Sequence, residues 1–200
     1  MKLYFMPGAC SLAPHIAMCE AALEFDLVEV DYQTCRMDCG SDYRAINPKG
    51  TVPALQLADG EVLTEVPVIL QFLADEALDA ELLPASGLRR LRALEWLNFI
   101  ATEIHKSFSP LFRPTTPDDF LQPGKAQLRG RLAFVERHLS RHAYLMGDDF
   151  SLADVYLFTV CRWLVDQNMS IADWPALHRH SARIRLRPSV RKALDREGCT

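Results

Sequence analysis

The N-terminal stretch constrains the fold of this chain more than any other. A short apolar run, Lys2–Met6, ends at Pro7–Gly8, and the residues after it favour a helix with Ser11 as N-cap and Pro14 in its first turn. Cys10 is therefore predicted at a strand-to-helix turn, beside free backbone N–H groups and the positive end of a helix dipole. Such a field stabilises a thiolate, either that of the cysteine or that of a ligand. The alternative is a small buried hydrophobic residue, and this stretch alone does not decide between the two.

The N-terminal part of the chain alternates strands and helices. Asp26–Asp31 shows the alternation of a half-buried strand, and because a helix joins it to the first strand, the two are predicted to be parallel. The predicted elements are a strand at Lys2–Met6, a helix at Ser11–Ala22, a strand at Asp26–Asp31, a polar loop at Gln33–Gly40, one or two helical turns at Ser41–Ile46, a hairpin of Val52–Leu57 and Val62–Leu63, and a helix at Pro67–Ala77.

The segment Leu78–Gly87 interrupts this alternation, and every later segment has a helical period. We expect residues 1–79 to form an α/β domain, residues 80–87 a linker and residues 88–200 an all-helical domain. Phe108–Pro123 carries four prolines and is predicted to be a loop. Ser151 and Asp154 form a capping-box pattern at a helix start. The predicted helices are Leu88–Phe108, Gln122–Leu139, Ser151–Asp166, Trp174–Ile184 and Pro188–Arg196.

The distribution of charge also indicates two modules. Residues 1–80 carry 4 basic and 13 acidic side chains, whereas residues 81–200 carry 18 and 13, so the net charge of −4 conceals a marked asymmetry. The arginines are dispersed over helical segments and are not clustered with aromatic residues. We therefore do not expect a nucleic acid as a partner.

The cysteines and the hydropathy pattern indicate the cellular compartment of the protein. The 6 cysteines form no recognisable disulfide framework, and no apolar run approaches the ~18 residues that a membrane span needs. No apolar signal segment precedes the first strand, and we expect a reduced, cytoplasmic protein. Cys35 and Cys39 lack a second ligand pair, and the histidines show no ligand spacing, so we expect no metal site. Cys10 is not part of a Cys-x-x-Cys pair, which argues against dithiol redox cycling.

The chain resembles the bacterial beta class of cytosolic glutathione transferases over essentially its whole length. The resemblance implies a thioredoxin-like N-terminal domain that binds glutathione, followed by an all-α helical-bundle domain that forms the electrophile site. The matching motifs are Pro7–His15, Asn47–Leu55, Leu63–Glu65, Trp96–Ile100, Thr102–Lys106 and the Ser151–Asp154 capping box.

The resemblance also implies roles in glutathione binding for residues of the N-terminal domain. In the family the Val52–Pro53 bond is cis, and Val52 presents its backbone groups as a sheet edge with which an extended tripeptide pairs; otherwise Pro53 is an edge-strand proline. Glu65 receives the ammonium of the γ-glutamyl group, while the backbone N–H of Val66 holds its carboxylate at the helix start. For an isolated Glu65 the alternative is that it complements the dipole of its own helix.

In the helical domain the resemblance implies a polar stripe that lines the glutathione or electrophile site, partly across a dimer interface. Asn98, Thr102 and His105 have the spacing of one helical face, and Glu103 and Lys106 lie beside them. Such a stripe is more often only the solvated side of a helix, and for Lys106 the two interpretations are equally weighted.

Three departures from the family pattern bear on affinity more than on fold. The beta class usually has lysine where this chain has Cys35, close to the glycine carboxylate of glutathione. A small residue usually follows Glu65, but here Val66–Pro67 follows, so that the side chain at 66 forms no hydrogen bond and Pro67 supplies no N–H. Thr51 stands where a larger residue is common.

The resemblance implies a glutathione S-transferase that conjugates the thiol of glutathione, its co-substrate, to electrophilic, largely apolar molecules. Cys10 is then the residue nearest the sulfur, Ser11 is a second donor, and His105 faces the electrophile with Lys106 as a further donor. Two rivals remain open: glutathione-dependent thiol–disulfide exchange or reductive dehalogenation through Cys10, and a non-catalytic carrier of apolar ligands. The family habit of sharing the site across subunits predicts a homodimer.

Overall fold

A computed structural model describes residues 1–199 of the chain and divides into two compact units. The first unit comprises Met1–Ala85 together with the segment that begins at Leu186, and the second comprises Ser86–Arg185. The C-terminal segment therefore groups with the N-terminal unit, whereas the sequence predicted residues 88–200 as one helical domain.

The first unit contains a five-stranded sheet with the order β3-β2-β1-β4-β5. The strands β1 and β2 are parallel, as predicted from the helix that joins them, and the other pairs are antiparallel. The two-residue strand β3 lies inside the segment predicted as a polar loop. The strands are β1 at Lys2–Phe5, β2 at Asp26–Asp31, β3 at Arg36–Met37, β4 at Ala54–Gln56 and β5 at Val62–Thr64.

Helices cover this sheet and build the second unit. In the first unit α1 packs against α2 and α8, and Ile16 and Leu73 are fully buried. The helices are, in chain order, α1 at Leu12–Glu20, α2 at Val66–Glu76, α3 at Gly87–Phe99, α4 at Lys106–Phe112, α5 at Asp118–Leu139, α6 at Leu152–Cys161, α7 at Pro175–Arg185 and α8 at Pro188–Arg196. Short 3₁₀ segments lie at Tyr43–Ala45, Leu78–Ala80, Arg162–Gln167 and Ile171–Asp173.

The second unit is arranged around α6, in which every residue is buried. It packs against α3 and α7, while α5 packs against α4 and α7. This thioredoxin-like unit and helical unit are the fold that the sequence indicated. No helix within residues 1–199 is both long and apolar enough to cross a membrane.

Two predictions for residues 88–123 were wrong. The segment predicted as one α-helix changes to a π-helix at Ile100–His105 before α4 begins. The segment predicted as a loop is mostly helical, because α4 continues through Pro110 and α5 includes Pro123. Pro110 lies in the last turn of α4 and Pro123 in the second turn of α5, and each removes one backbone hydrogen bond of its helix. Only residues 113–117 separate the two helices.

The predicted capping box is confirmed and is the centre of a buried network. Asp154 is fully buried, and its carboxylate accepts from the backbone N–H and the hydroxyl of Ser151 at 2.8 and 3.1 Å. It also accepts from the backbone N–H of Leu145 at 2.8 Å and lies 2.8 Å from Nε2 of His180. One carboxylate thus ties the start of α6 to the preceding loop and to α7.

A second buried carboxylate ties the C-terminal segment to the turn that carries Cys10. Glu197, which follows α8, accepts from the backbone N–H of Gly8 at 2.9 Å and lies 2.8 Å from Nδ1 of His15. The side chains of Glu197 and His15 are both fully buried. The C-terminal segment therefore completes the hydrogen bonding around the start of α1.

Candidate functional site

Cys10 lies at the turn between β1 and α1, as predicted, but its thiol is held in the protonated form. Burial raises the pKa of the Cys10 thiol to about 12, against the opposing effect of the backbone N–H groups of Cys10 and Ser11 and with a small further increase from the Glu65 carboxylate. The thiol lies 3.3 Å from the carbonyl oxygen of Val52, to which it donates. The S–H of Cys10 is therefore directed at the carbonyl of Val52, and the turn holds a thiol and not a stabilised cysteine thiolate.

Ser11 occupies the N-cap position of α1, but its side chain does not cap the helix. Its hydroxyl accepts from the backbone N–H of Met6 at 3.1 Å and donates to the carbonyl of Met6 at 3.2 Å. Ser11 is also fully buried. Its hydroxyl hydrogen is therefore used to hold the end of β1 against the start of α1.

The segment before β4 is fixed by side chains that bind its carbonyl groups. The Val52–Pro53 bond is cis, as the resemblance implied. The Tyr43 hydroxyl and the Asn47 amide both donate to the carbonyl of Thr51, at 2.9 and 2.6 Å. These bonds set the position of the backbone groups of Val52.

Cys35 lies beneath the same segment. It is buried, and its sulfur is 3.9 Å from the carbonyl oxygen of Gly50. A β-carbon at Gly50 would lie 3.4 Å from the same sulfur. Cys35 thus packs against the backbone of this segment.

Glu65 stands at the N-cap position of α2 with a φ of +71°, and its carboxylate is paired with a lysine. Nζ of Lys49 lies 2.7 Å from Oε1 of Glu65 and 2.9 Å from the hydroxyl of Thr64. The two charged side chains are 54% (Lys49) and 65% (Glu65) exposed. Val66 follows as a buried residue. The ammonium of Lys49 is therefore paired with the carboxylate to which the resemblance assigns the γ-glutamyl ammonium.

In the helical unit the predicted polar stripe spans the junction of α3 and the π-helix. Asn98 and Thr102 are exposed, and the Thr102 hydroxyl donates to the carbonyl of Asn98 at 3.0 Å. Glu103 forms an ion pair with Nε of Arg131 at 2.7 Å. Because a π-helix has a wider turn than an α-helix, the α-helical spacing does not carry across this junction. His105 is accordingly half-buried, unlike the first two residues of the stripe.

His105 lies in a cluster of aromatic side chains that the sequence analysis did not identify. Its Nδ1 is 2.7 Å from the hydroxyl of Tyr156, and its ring meets the Trp163 ring at a centroid distance of 5.0 Å. Trp163 also packs against Phe108 and Phe112, at 5.4 and 5.8 Å. Phe112 is 46% exposed, so the cluster has an accessible apolar face. In the sequence Tyr156 stands among the apolar residues Val155, Leu157 and Phe158, and no spacing marks it as a candidate site residue.

Lys106, the first residue of α4, is exposed. The structure thus groups Cys10, Ser11, Val52, Pro53, Glu65 and Val66 in the first unit, and Asn98, Thr102, Glu103, His105 and Lys106 in the second. Within residues 1–199 no group of three or more His, Cys, Asp or Glu side chains is arranged to hold a metal ion.

Family models match both units of the chain. The glutathione S-transferase N-terminal domain matches residues 8–76, and the glutathione S-transferase C-terminal domain matches residues 99–188. The chain is 45% identical over 199 residues to the Escherichia coli O157:H7 protein named glutathione S-transferase GstA, and the match covers 99% of each chain.

Solved structures support the same family assignment. A sphingomonad glutathione S-transferase complexed with glutathione is 41% identical, with a TM-score of 0.96 and coverage of 100% of both chains. A bacterial beta-class glutathione S-transferase from Sphingomonas chungbukensis is also 41% identical over 100% of both chains, with a TM-score of 0.97. The chain therefore belongs to the glutathione S-transferase family, within which it groups with the bacterial beta class.

Proposed function

We propose that the protein conjugates the thiol of glutathione to electrophilic, largely apolar molecules and so detoxifies them. Glutathione is the co-substrate and binds along the first unit, as the complex of the sphingomonad relative with glutathione supports. The electrophile lies against the aromatic cluster around Trp163.

The placement of Cys10 carries this proposal, because its sulfur lies 3.3 Å from the carbonyl oxygen of Val52, the residue that pairs with glutathione in the family. A thiol with a pKa of about 12 is a hydrogen-bond donor at neutral pH, not a nucleophile. When glutathione binds, the S–H of Cys10 turns from the carbonyl of Val52 to the glutathione sulfur, stabilises its thiolate form and so lowers the pKa of that sulfur. The thiolate then attacks an electrophilic carbon, a C–S bond forms, and the leaving group departs with the electron pair of the bond that breaks. Thiol–disulfide exchange through Cys10 instead requires a cysteine thiolate.

The remaining contacts of glutathione follow the family resemblance. Val52 supplies the backbone groups that pair with the tripeptide, next to Pro53. Glu65 receives the ligand ammonium, and in doing so exchanges the ammonium of Lys49 for that of glutathione. Further contacts come from Val66, Asn98, Thr102, Glu103 and His105, and the buried Cys35 supports the segment that leads to Val52.

The Cys10→Ser and Cys10→Ala variants test the proposal in the conjugation of glutathione to a chlorodinitrobenzene, followed by the absorbance of the thioether. Serine keeps an O–H donor, so we expect Cys10→Ser to retain most of the turnover. Cys10→Ala loses one hydrogen bond to a charged sulfur, and we expect its turnover to be lower than that of the wild type by about tenfold or more. Loss of all turnover in both variants, with intact turnover of a glutathione mixed disulfide by the wild type, would support the exchange reaction instead. Wild-type protein that binds glutathione without turning over any electrophile would be a carrier.

We also propose that the protein is a cytoplasmic homodimer. The exposed residues Asn98, Thr102 and Lys106 are then completed by a partner subunit. Residues 1–80 are acidic and residues 81–200 are basic, so these parts of two chains suit a two-fold interface. In such an interface each subunit contributes the same surface patch. Sedimentation equilibrium at micromolar concentration is expected to give twice the mass of the 22.6 kDa chain. A single species at the mass of one chain would contradict the dimer.

A further inference from the structure

The hydroxyl of Tyr156 is a buried polar group in the middle of α6. Tyr156 is 1% exposed, and all ten residues of α6 are buried. A buried tyrosine hydroxyl needs a hydrogen-bond partner, because its desolvation is otherwise uncompensated. Nδ1 of His105 supplies such a partner at 2.7 Å.

The ring of His105 is held from two directions. It meets the Tyr156 ring edge-on, with an interplanar angle of 90° and a centroid distance of 5.9 Å, and it meets the Trp163 ring at 61°. His105 is the last residue of the π-helix, and such a segment directs a side chain away from the regular helical spacing. The imidazole is thus oriented by a hydrogen bond and by two aromatic neighbours.

We propose that Tyr156 is a positioning residue that sets the orientation and the tautomer of His105. A neutral imidazole has one donor and one acceptor nitrogen, and the partner of one nitrogen decides where the proton lies. A phenol O–H is a stronger donor than a neutral imidazole N–H, and an imidazole nitrogen is a stronger acceptor than a phenol oxygen. In this arrangement the phenol therefore donates to Nδ1, and the imidazole proton lies on Nε2. His105 then presents an N–H donor to the polar substituent or leaving group of the electrophile, and no proton is transferred. The catalytic part of this inference rests on the proposed conjugation reaction, whereas the positioning part does not.

The Tyr156→Phe variant tests the positioning directly, because it removes only the hydroxyl from a buried ring. Nitrogen-15 chemical shifts of the histidine rings report which nitrogen carries the proton, and the His105→Gln variant assigns the signals of His105. We expect the wild type to show a protonated Nε2 and an accepting Nδ1. In Tyr156→Phe we expect a mixture of the two tautomers. Tyr144→Phe removes a hydroxyl from another tyrosine of the same unit and is expected to leave the His105 signals unchanged.

Steady-state kinetics test whether the positioning acts on the reaction. We expect Tyr156→Phe to lower kcat for the aryl halide about threefold to tenfold, the effect of one neutral hydrogen bond, with KM for glutathione unchanged. In the His105→Gln background the same substitution is expected to have no further effect, because its target is gone. A purely structural role would lower kcat in both backgrounds.

Three results would overturn the proposal. They are identical His105 tautomers in the wild type and Tyr156→Phe, an equal loss of kcat in both backgrounds, and an unchanged kcat in His105→Gln. The last result would leave the transferase function intact. An absence of any conjugation by the wild type would remove the proposed function, and the nitrogen-15 shifts would still decide the positioning.

Discussion

Replacing Asp154 with alanine is expected to lower the free energy of unfolding by about 3–5 kcal/mol, because buried donors lose their acceptor. Two backbone N–H groups, the hydroxyl of Ser151 and the ring of His180 all lie within hydrogen-bond distance of this one carboxylate. In Asp154→Ala no other side chain replaces the carboxylate as an acceptor, and position 154 is fully buried, away from water. Urea unfolding, followed by circular dichroism, measures the change.

Two matched variants separate the network from the loss of a charge. Asp149 is an acid just before α6 that is 65% exposed and paired with Arg89, and Asp149→Ala is expected to cost at most about 1 kcal/mol, as surface pairs do. Ser151→Ala removes one member of the capping box and is expected to cost about 1 kcal/mol. If Asp154→Ala is no more destabilised than Asp149→Ala, the buried network does not hold this unit together.

Replacing Glu65 with alanine is expected to weaken glutathione binding at least tenfold, which is about 1.4 kcal/mol. The carboxylate is the group to which the ligand ammonium binds in the proposed complex, and the bound tripeptide covers it. In the free protein Lys49 takes that position at 2.7 Å. Calorimetric titration with glutathione measures the affinity, and circular dichroism checks the fold.

Two neighbouring substitutions serve as controls for Glu65. Val66→Ser adds one neutral hydrogen bond and is expected to strengthen binding by about 0.5–1.5 kcal/mol at most. Lys49→Met removes the residue paired with Glu65 and is expected to leave the affinity equal or higher, because the ligand ammonium then meets no competitor. An unchanged affinity in Glu65→Ala, with a normal fold, would mean that Val66–Pro67 has rebuilt this end of the site.

The elements that the sequence predicted correctly are those with strong local signals. Asp26–Asp31 alternates polar and apolar residues, and Pro188–Arg196 begins with a helix-starting proline; both were predicted with the observed bounds. The strand Arg36–Met37 was missed, because two residues in a polar segment have no period. The π-helix at Ile100–His105 was missed because its sequence reads as an ordinary amphipathic helix.

The geometry of the candidate site was predictable where it depends on the local backbone and not where it depends on a partner distant in sequence. The turn at Cys10 and the bond Val52–Pro53 follow from a strand-to-helix signal and a family motif. The pairing of Glu65 with Lys49 joins residues that are 16 positions apart, and that of His105 with Tyr156 joins residues 51 positions apart. Sequence spacing contains no information about such distances, because the fold decides which side chains meet.

The discontinuity of the first unit determines the order in which a ribosome can complete the two units. Gly8 and His15 are synthesised early, but their buried partner Glu197 follows 189 and 182 residues later. At ~5–20 residues per second the interval is on the order of ten seconds. The second unit, by contrast, is one contiguous segment, Ser86–Arg185, and has all of its own contacts before Glu197 is synthesised. During translation the whole second unit therefore precedes Glu197, and the turn that carries Cys10 acquires its hydrogen bond to Glu197 only after that unit has been synthesised.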